Sequence, residues 1–91
     1  MAGIIITFKV VLESPEVDFE AVKDKVISAI EGYDCDIGNA TIEEVAYGIK
    51  AIKIIFLMDE KKGGTENLEE KLKEIEGVSS VEVLDVRRAV G

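Results

Sequence analysis

The chain has 91 residues, 47% of them hydrophobic and 33% charged, with 19 acidic and 11 basic residues for a net charge of -8. This composition predicts one globular domain over residues 1–91 and excludes nucleic-acid binding through a broad basic surface. The lack of histidine, with Cys35 as the only cysteine, excludes a zinc site, a CxxC motif and an internal disulfide. The first apolar run is too short to span a bilayer and lacks the features of a signal peptide, so we expect a cytoplasmic protein without membrane contact.

Residues 3–12 alternate between large apolar side chains and smaller or polar ones, which predicts a first strand. Pro15 then breaks the strand, because proline has no N–H donor and a fixed φ. A helix follows, with Asp18 as its predicted N-cap and Gly32 as its stop after about Glu31. Its apolar stripe comprises Phe19, Val22, Val26, Ile27 and Ile30.

Residues 36–46 and 49–58 predict a hairpin that turns at Tyr47 and Gly48. The first segment is polar and irregular, which is typical of a bulged edge strand. The second is rich in isoleucine and apolar on both faces, which indicates a strand in the middle of a sheet. A buried helix is the alternative for so short an apolar run, but the flanking glycines favour the strand.

The last third of the chain predicts a loop, a second helix and a short strand. Residues 59–64 have the composition of a loop. Thr65 is the expected cap of a helix that ends at Gly77, with an apolar stripe of Leu68, Leu72 and Ile75. Residues 80–86 predict the final strand, which leaves Arg87 and Arg88 on a terminal tail.

The order of these elements, β-α-β-β-α-β, predicts an α+β ferredoxin-like fold. Right-handed crossovers place both helices on one face of a four-stranded antiparallel sheet, with the strands at 3–12 and 49–58 in its centre. The other face would then remain uncovered, and such an apolar surface usually marks a partner site. The residues expected on it are Ile5, Val11, Ile55 and Leu57.

Enzymatic motifs are missing from this sequence. The segment 63–65, Gly-Gly-Thr before a helix, lacks the lysine and the spacing of a phosphate-binding loop and is best interpreted as a turn followed by a cap. Two features are left as functional candidates. Arg87 and Arg88 place two permanent charges at the end of an acidic chain, although composition alone favours a solvated terminus. Tyr47 lies at a strand junction, where its ring either protrudes or packs on the core.

Four segments, residues 13–18, 46–53, 63–66 and 75–88, together resemble archaeal translation elongation factor 1-beta in order and spacing. The resemblance covers nearly the whole chain and is weakest over residues 32–41. It implies a single guanine-nucleotide exchange domain that binds elongation factor 1-alpha in its GDP and nucleotide-free forms and promotes GDP release and GTP loading. It implies neither a cofactor, nor a metal of its own, nor covalent chemistry.

The same resemblance assigns roles to particular residues. A basic side chain near the C-terminus of eukaryotic relatives enters the magnesium site of the partner, and Arg88 matches it by position, with Arg87 as the alternative. An aromatic residue before the Gly-Ile-Lys of the hairpin contacts the nucleotide domain of the partner, and Tyr47 matches it. Lys50 lies in the same matched segment and is a further expected contact.

Two other functions fit the predicted fold. One is a ligand-binding or regulatory module that dimerises through the uncovered sheet face. The other is an enzyme of the acylphosphatase type, which requires an arginine in a glycine-rich loop after the first strand. Residues 13–16 are Glu-Ser-Pro-Glu, so this sequence disfavours the enzyme.

Overall fold

Four antiparallel strands form one sheet in the order β2-β3-β1-β4, and two helices cover one of its faces. The structure is a computed structural model that describes residues 3–59 and 65–89. The predicted β-α-β-β-α-β order and ferredoxin-like fold are confirmed. The elements are β1 (Gly3–Leu12), α1 (Phe19–Gly32), β2 (Asp36–Ala46), β3 (Ile49–Asp59), α2 (Glu66–Lys73) and β4 (Val78–Ala89).

The core lies between the helices and the two central strands, β1 and β3. Alternate residues of these strands point to the helices because strand side chains alternate between the two faces. Phe8 and Phe56 meet edge to face, with ring centroids 5.0 Å apart and an interplanar angle of 80°. The strand residues that this layer buries are Ile6, Phe8, Val10, Leu12, Ile52, Ile54, Phe56 and Met58.

The first helix begins as predicted and ends slightly differently. The N–H groups of Glu20 and Ala21 donate to Asp18 Oδ1 at 3.1 and 3.3 Å, so Asp18 is the N-cap. Gly32 was expected to stop the helix, but it is the last helical residue. The left-handed conformation that turns the chain belongs to Asp34, with φ 61°. Aspartate tolerates this region better than most residues.

The second helix is shorter than predicted. Thr65 occupies the N-cap position, but its hydroxyl bonds no backbone N–H and donates to Glu69 Oε2 at 3.0 Å. The helix ends at Lys73, before Gly77, and Gly77 lies in the turn into β4 with φ 97°. A Cβ at Gly77 would lie 2.9 Å from Cγ1 of Val17, so close packing also requires glycine here. Residues 60–64 of the predicted loop lie outside the described residues.

The two outer strands depart from regular pairing. β2 has irregular register at Ile37/Asn39 and at Glu44/Ala46, which confirms the predicted bulged edge strand. β4 extends to Ala89 and was expected to end at residue 86. The prediction of an arginine tail is therefore wrong, because β1 continues to Gly3 and its backbone pairs with β4 as far as Ala89. No helix within the described ranges is long and apolar enough to cross a membrane.

Candidate partner-binding surface

Tyr47 projects into solvent from the tip of the β2–β3 hairpin. Its side chain is 96% exposed, so the alternative that its ring packs on the core is wrong. Tyr47 and Gly48 have φ values of 52° and 78°, and positive φ at both central residues is the mark of a type I′ turn. Asparagine, aspartate and glycine favour this turn, whereas tyrosine is disfavoured in it. The fold therefore holds an aromatic ring in a costly position where it buries almost nothing.

Lys50 lies three residues further along, on the face of β3 that the helices cover. It pairs across the hairpin with Glu44, and its side chain is only partly exposed. Its ammonium nitrogen lies 4.3 Å from the centroid of the Phe19 ring, which is a cation–π distance. The side chain therefore contacts the first residue of α1.

Arg87 and Arg88 lie at the far end of β4 and point to opposite faces of the sheet. Arg87 is paired with Ile5 and shares the uncovered face with it, whereas Arg88 is paired with Ile4 on the helix side. Both side chains are exposed. Arg87 Nε donates to Asp85 Oδ2 at 2.6 Å, which fixes the direction of that guanidinium.

A bulge in β4 determines which arginine lies on which face. Thr7 pairs with Asp85 and Phe8 with Val83, so Leu84 has no partner on β1. One extra residue reverses the alternation of side chains between the two faces. Asp85 and the residues after it therefore lie on the face opposite to the one they would occupy in a strand without the bulge. The adjacent apolar residues Val83 and Leu84 interrupt the period-two pattern and are the sequence signal for this bulge.

The two arginines and Tyr47 occupy opposite ends of the sheet. Arg88 lies level with Ile4 on β1, whereas Ala51, at the start of β3, lies level with Val11. Seven residues of strand between those levels span about 23 Å, and Tyr47 lies beyond Ala51. The structure thus places Arg87 and Arg88 at one end of the sheet, on opposite faces, and Tyr47 and Lys50 at the other end.

The uncovered face is apolar only at the end of the sheet where Arg87 and Arg88 lie, which we call the arginine end. Ile5 and Leu57 are each 39% exposed, as predicted, and they line a shallow depression of about 440 Å³ with Ile55. Sequence reasoning missed further exposed apolar residues on β4, where Val83, Leu84 and Val86 are 38, 48 and 55% exposed. Val83 pairs with Phe8 and Val86 with Ile6, so these two belong to the helix side of the sheet and do not extend the uncovered face.

Charged groups occupy the rest of this face. Lys9 lies directly opposite Lys53 in the β1–β3 pair. Glu82 pairs with Lys9 from β4, and the Glu43 carboxylate lies 3.9 Å from the Lys53 ammonium on the side of β2. Val11, which was expected to join the apolar surface, is half-buried beyond these lysines. The predicted apolar face is therefore limited to one half of the sheet.

The described residues contain little that suggests chemistry of their own. No group of three Cys, Asp or Glu side chains in 3–59 and 65–89 is arranged to hold a metal ion. Cys35 is buried, with its Sγ 3.6 Å from the carbonyl oxygen of Tyr33. The arrangement offers surfaces for contact: a cationic end with an apolar border, and a single exposed ring.

Comparison with known proteins places the chain in a protein family. Residues 5–89 match the model of the EF-1 guanine nucleotide exchange domain. Elongation factor 1-beta of Methanothermobacter thermautotrophicus is 42% identical over 89 residues, covering 97% of this chain and 98% of the relative. The protein of the same name from Staphylothermus marinus is 42% identical over 90 residues, with 97% and 98% covered. That of Methanocaldococcus jannaschii is 38% identical over 89 residues, with 98% and 100% covered.

Solved structures share the fold at low sequence identity. The ACT domain from GTP pyrophosphokinase of Chlorobium tepidum superimposes with a TM-score of 0.64 at 19% identity, covering 88% of this chain and 96% of that domain. The C-terminal domain of the MgtC protein from Mycobacterium tuberculosis gives a TM-score of 0.68 at 15% identity, with 94% and 87% covered. At such identities the likeness concerns the fold alone.

Proposed function

Because the chain belongs to the family of EF-1 guanine nucleotide exchange domains, with archaeal elongation factor 1-beta proteins among its relatives, we propose that it accelerates GDP release from elongation factor 1-alpha. The observation that carries this proposal is the match of the exchange-domain model to residues 5–89, nearly the whole chain. The chain then acts on a GTPase by binding it, without a covalent step. It binds both the GDP form and the nucleotide-free form, and GTP displaces it.

The arginine end supports a mechanism by ion displacement. A GTPase holds GDP through its phosphates and through the magnesium ion that bridges them to the protein. A guanidinium that enters the ion's position removes that bridge, so the nucleotide is bound more weakly. The coupling is reciprocal: GDP weakens the binding of the exchange factor by the same factor. A thousandfold change in GDP affinity corresponds to about 4 kcal/mol.

Arg88 is the side chain that we assign to the magnesium site. It matches the family's basic residue by position, with Arg87 as the alternative. Arg87, Ile5 and Leu57 lie at the same end of the sheet but on its opposite, uncovered face.

Tyr47 contacts a different part of the partner. With more than about 20 Å of strand between the two ends, the ring and the arginines cannot enter one ion-sized site. The partner is therefore engaged along the length of the sheet. The exposed ring supplies apolar contact at low conformational cost, since tyrosine has only two side-chain torsions to fix.

The test is the release of a fluorescent GDP analogue from elongation factor 1-alpha, with and without this protein. We expect wild type to accelerate release and Arg88→Ala to lose most of that acceleration. Arg87→Ala should lose less. Lys25→Ala removes an exposed charge from α1, away from both ends, and should behave as wild type.

Two results would contradict the proposal. Release that wild type does not accelerate excludes the exchange function. An Arg88→Ala variant as fast as wild type excludes the role assigned to that residue and leaves the exchange function in place.

The exposed apolar patch at Ile5 and Leu57 favours one alternative, a regulatory module that dimerises through the open face. The charged half of the same face, where Lys9 and Lys53 lie opposite each other, would be desolvated by such a dimer and disfavours it. Sedimentation distinguishes the two: the alternative requires a stable homodimer and no effect on nucleotide release.

A further inference from the structure

The hairpin that carries Tyr47 is weakly held by its own strand pairing. The register shifts between Glu44 and Ala46, immediately before the turn, so the ladder is irregular where the tip begins. β2 is an edge strand whose last residues are exposed. An irregular edge hairpin with an exposed tip needs support from elsewhere if its aromatic residue is to keep one direction.

Two contacts from the helix side supply that support. The Lys50 ammonium lies 4.3 Å from the Phe19 ring centroid, which joins the start of β3 to the first residue of α1. Phe19 packs against the core, so the ring is itself held in place. At Gly48, an added Cβ would lie 3.5 Å from Cβ of Pro15, so the turn lies against the segment that precedes α1.

We propose that Lys50 is a positioning residue that acts through Tyr47: its cation–π contact with Phe19 fixes the hairpin so that the ring meets the partner in one orientation. This inference rests on the proposed contact between Tyr47 and the GTPase. It differs from the family expectation for Lys50, because the lysine would stabilise the hairpin from within and would not touch the partner. Partial burial of Lys50 under the helix layer supports this assignment.

The experiment is a double-mutant cycle on exchange kinetics with intact protein. Lys50→Met removes the charge and keeps most of the side-chain stem. Phe19→Leu removes the ring, and Lys50→Arg keeps a cation at position 50. Each is measured with Tyr47 present and in the Tyr47→Ala background. The matched control is Lys53→Met, which makes the same charge change on the same strand but removes a lysine that lies near Glu43.

We expect Lys50→Met and Phe19→Leu each to raise the half-saturating concentration of exchange factor about threefold, the size of one cation–π contact. The maximal release rate should stay unchanged, because the arginine end is intact. Lys50→Arg should keep the half-saturating concentration of the wild type. In the Tyr47→Ala background all of these variants should have no further effect.

Additive effects of Lys50→Met and Tyr47→Ala would overturn the inference, because they would show that Lys50 acts independently of Tyr47. A Tyr47→Ala variant equal to wild type would instead remove the proposed role of Tyr47, and the inference with it. Amide chemical shifts of Tyr47 and Gly48 give a readout that does not depend on exchange. Lys50→Met must change them more than Lys53→Met does, and equal effects would also overturn the inference.

Discussion

Replacing Tyr47 with asparagine should stabilise the fold while weakening the proposed function. The native ring is 96% exposed, so its removal sacrifices almost no buried surface. The backbone there has φ 52°, followed by Gly48 at 78°, and Asn-Gly is the preferred pair for such a turn. Relief of the unfavourable φ should gain about 0.5 to 1 kcal/mol. For a domain of this size that corresponds to a rise in melting temperature of about 2 to 8 °C.

Thermal unfolding followed by circular dichroism measures the first effect, and GDP release measures the second. Tyr33→Asn is the matched control, because that ring is half-buried and packs against the core. It should lower the melting temperature and leave exchange unchanged well below the unfolding transition. A Tyr47→Asn protein that melts several degrees lower would refute the reasoning about the turn, and one that exchanges at the wild-type rate would refute the contact.

Two further predictions concern positions that shape the fold. Gly77→Ala should destabilise by about 2 kcal/mol or more, because φ is 97° and the new Cβ would approach Val17 to 2.9 Å. Gly32→Ala, with open space around it at the end of a helix, should stabilise by up to about 1 kcal/mol, and urea unfolding compares the two. Asp18→Ala should cost about 1 kcal/mol, because the hydrogen bonds that Asp18 Oδ1 accepts from the N–H groups of Glu20 and Ala21 are lost. Thr65→Ala should cost less than half of that, since Thr65 caps no N–H; equal losses in the same urea titration would contradict this.

The fold was predictable because burial follows the strand and helix periods closely. The apolar residues on both faces of 49–58 indicated a central strand, and β3 is central. The polar irregularity of 36–46 likewise indicated an edge. These patterns arise from the hydrophobic effect acting on alternating side chains, so they can be detected in the sequence.

The errors occur where backbone pairing or distant packing decides. Arg87 and Arg88 look like a polar tail, but strand pairing is a property of the backbone, and β1 offers partners as far as Gly3. Gly77 looks like a helix stop, but it is required by contact with Val17, which is distant in sequence. Neither the pairing of β4 with β1 nor the contact between Gly77 and Val17 can be detected in a local sequence pattern.

The sequence predicted which residues belong to the candidate surface, but the positions of these residues relative to one another were not predicted. β3 and β4 both run antiparallel to β1, so the start of one and the end of the other lie at opposite ends of the sheet. The predicted topology already implied the separation of Tyr47 from Arg88. The face that each arginine occupies depends on the bulge at Leu84, whose sequence signal, the adjacent apolar residues Val83 and Leu84, was missed.

The most direct test of ion displacement is the rate of GDP release from elongation factor 1-alpha, measured with and without this protein, in millimolar magnesium and again in excess chelator. If the arginine end acts by removing magnesium, the protein should accelerate release strongly in magnesium and hardly at all in chelator, where the ion is already gone. An acceleration of the same factor under both conditions would contradict the account.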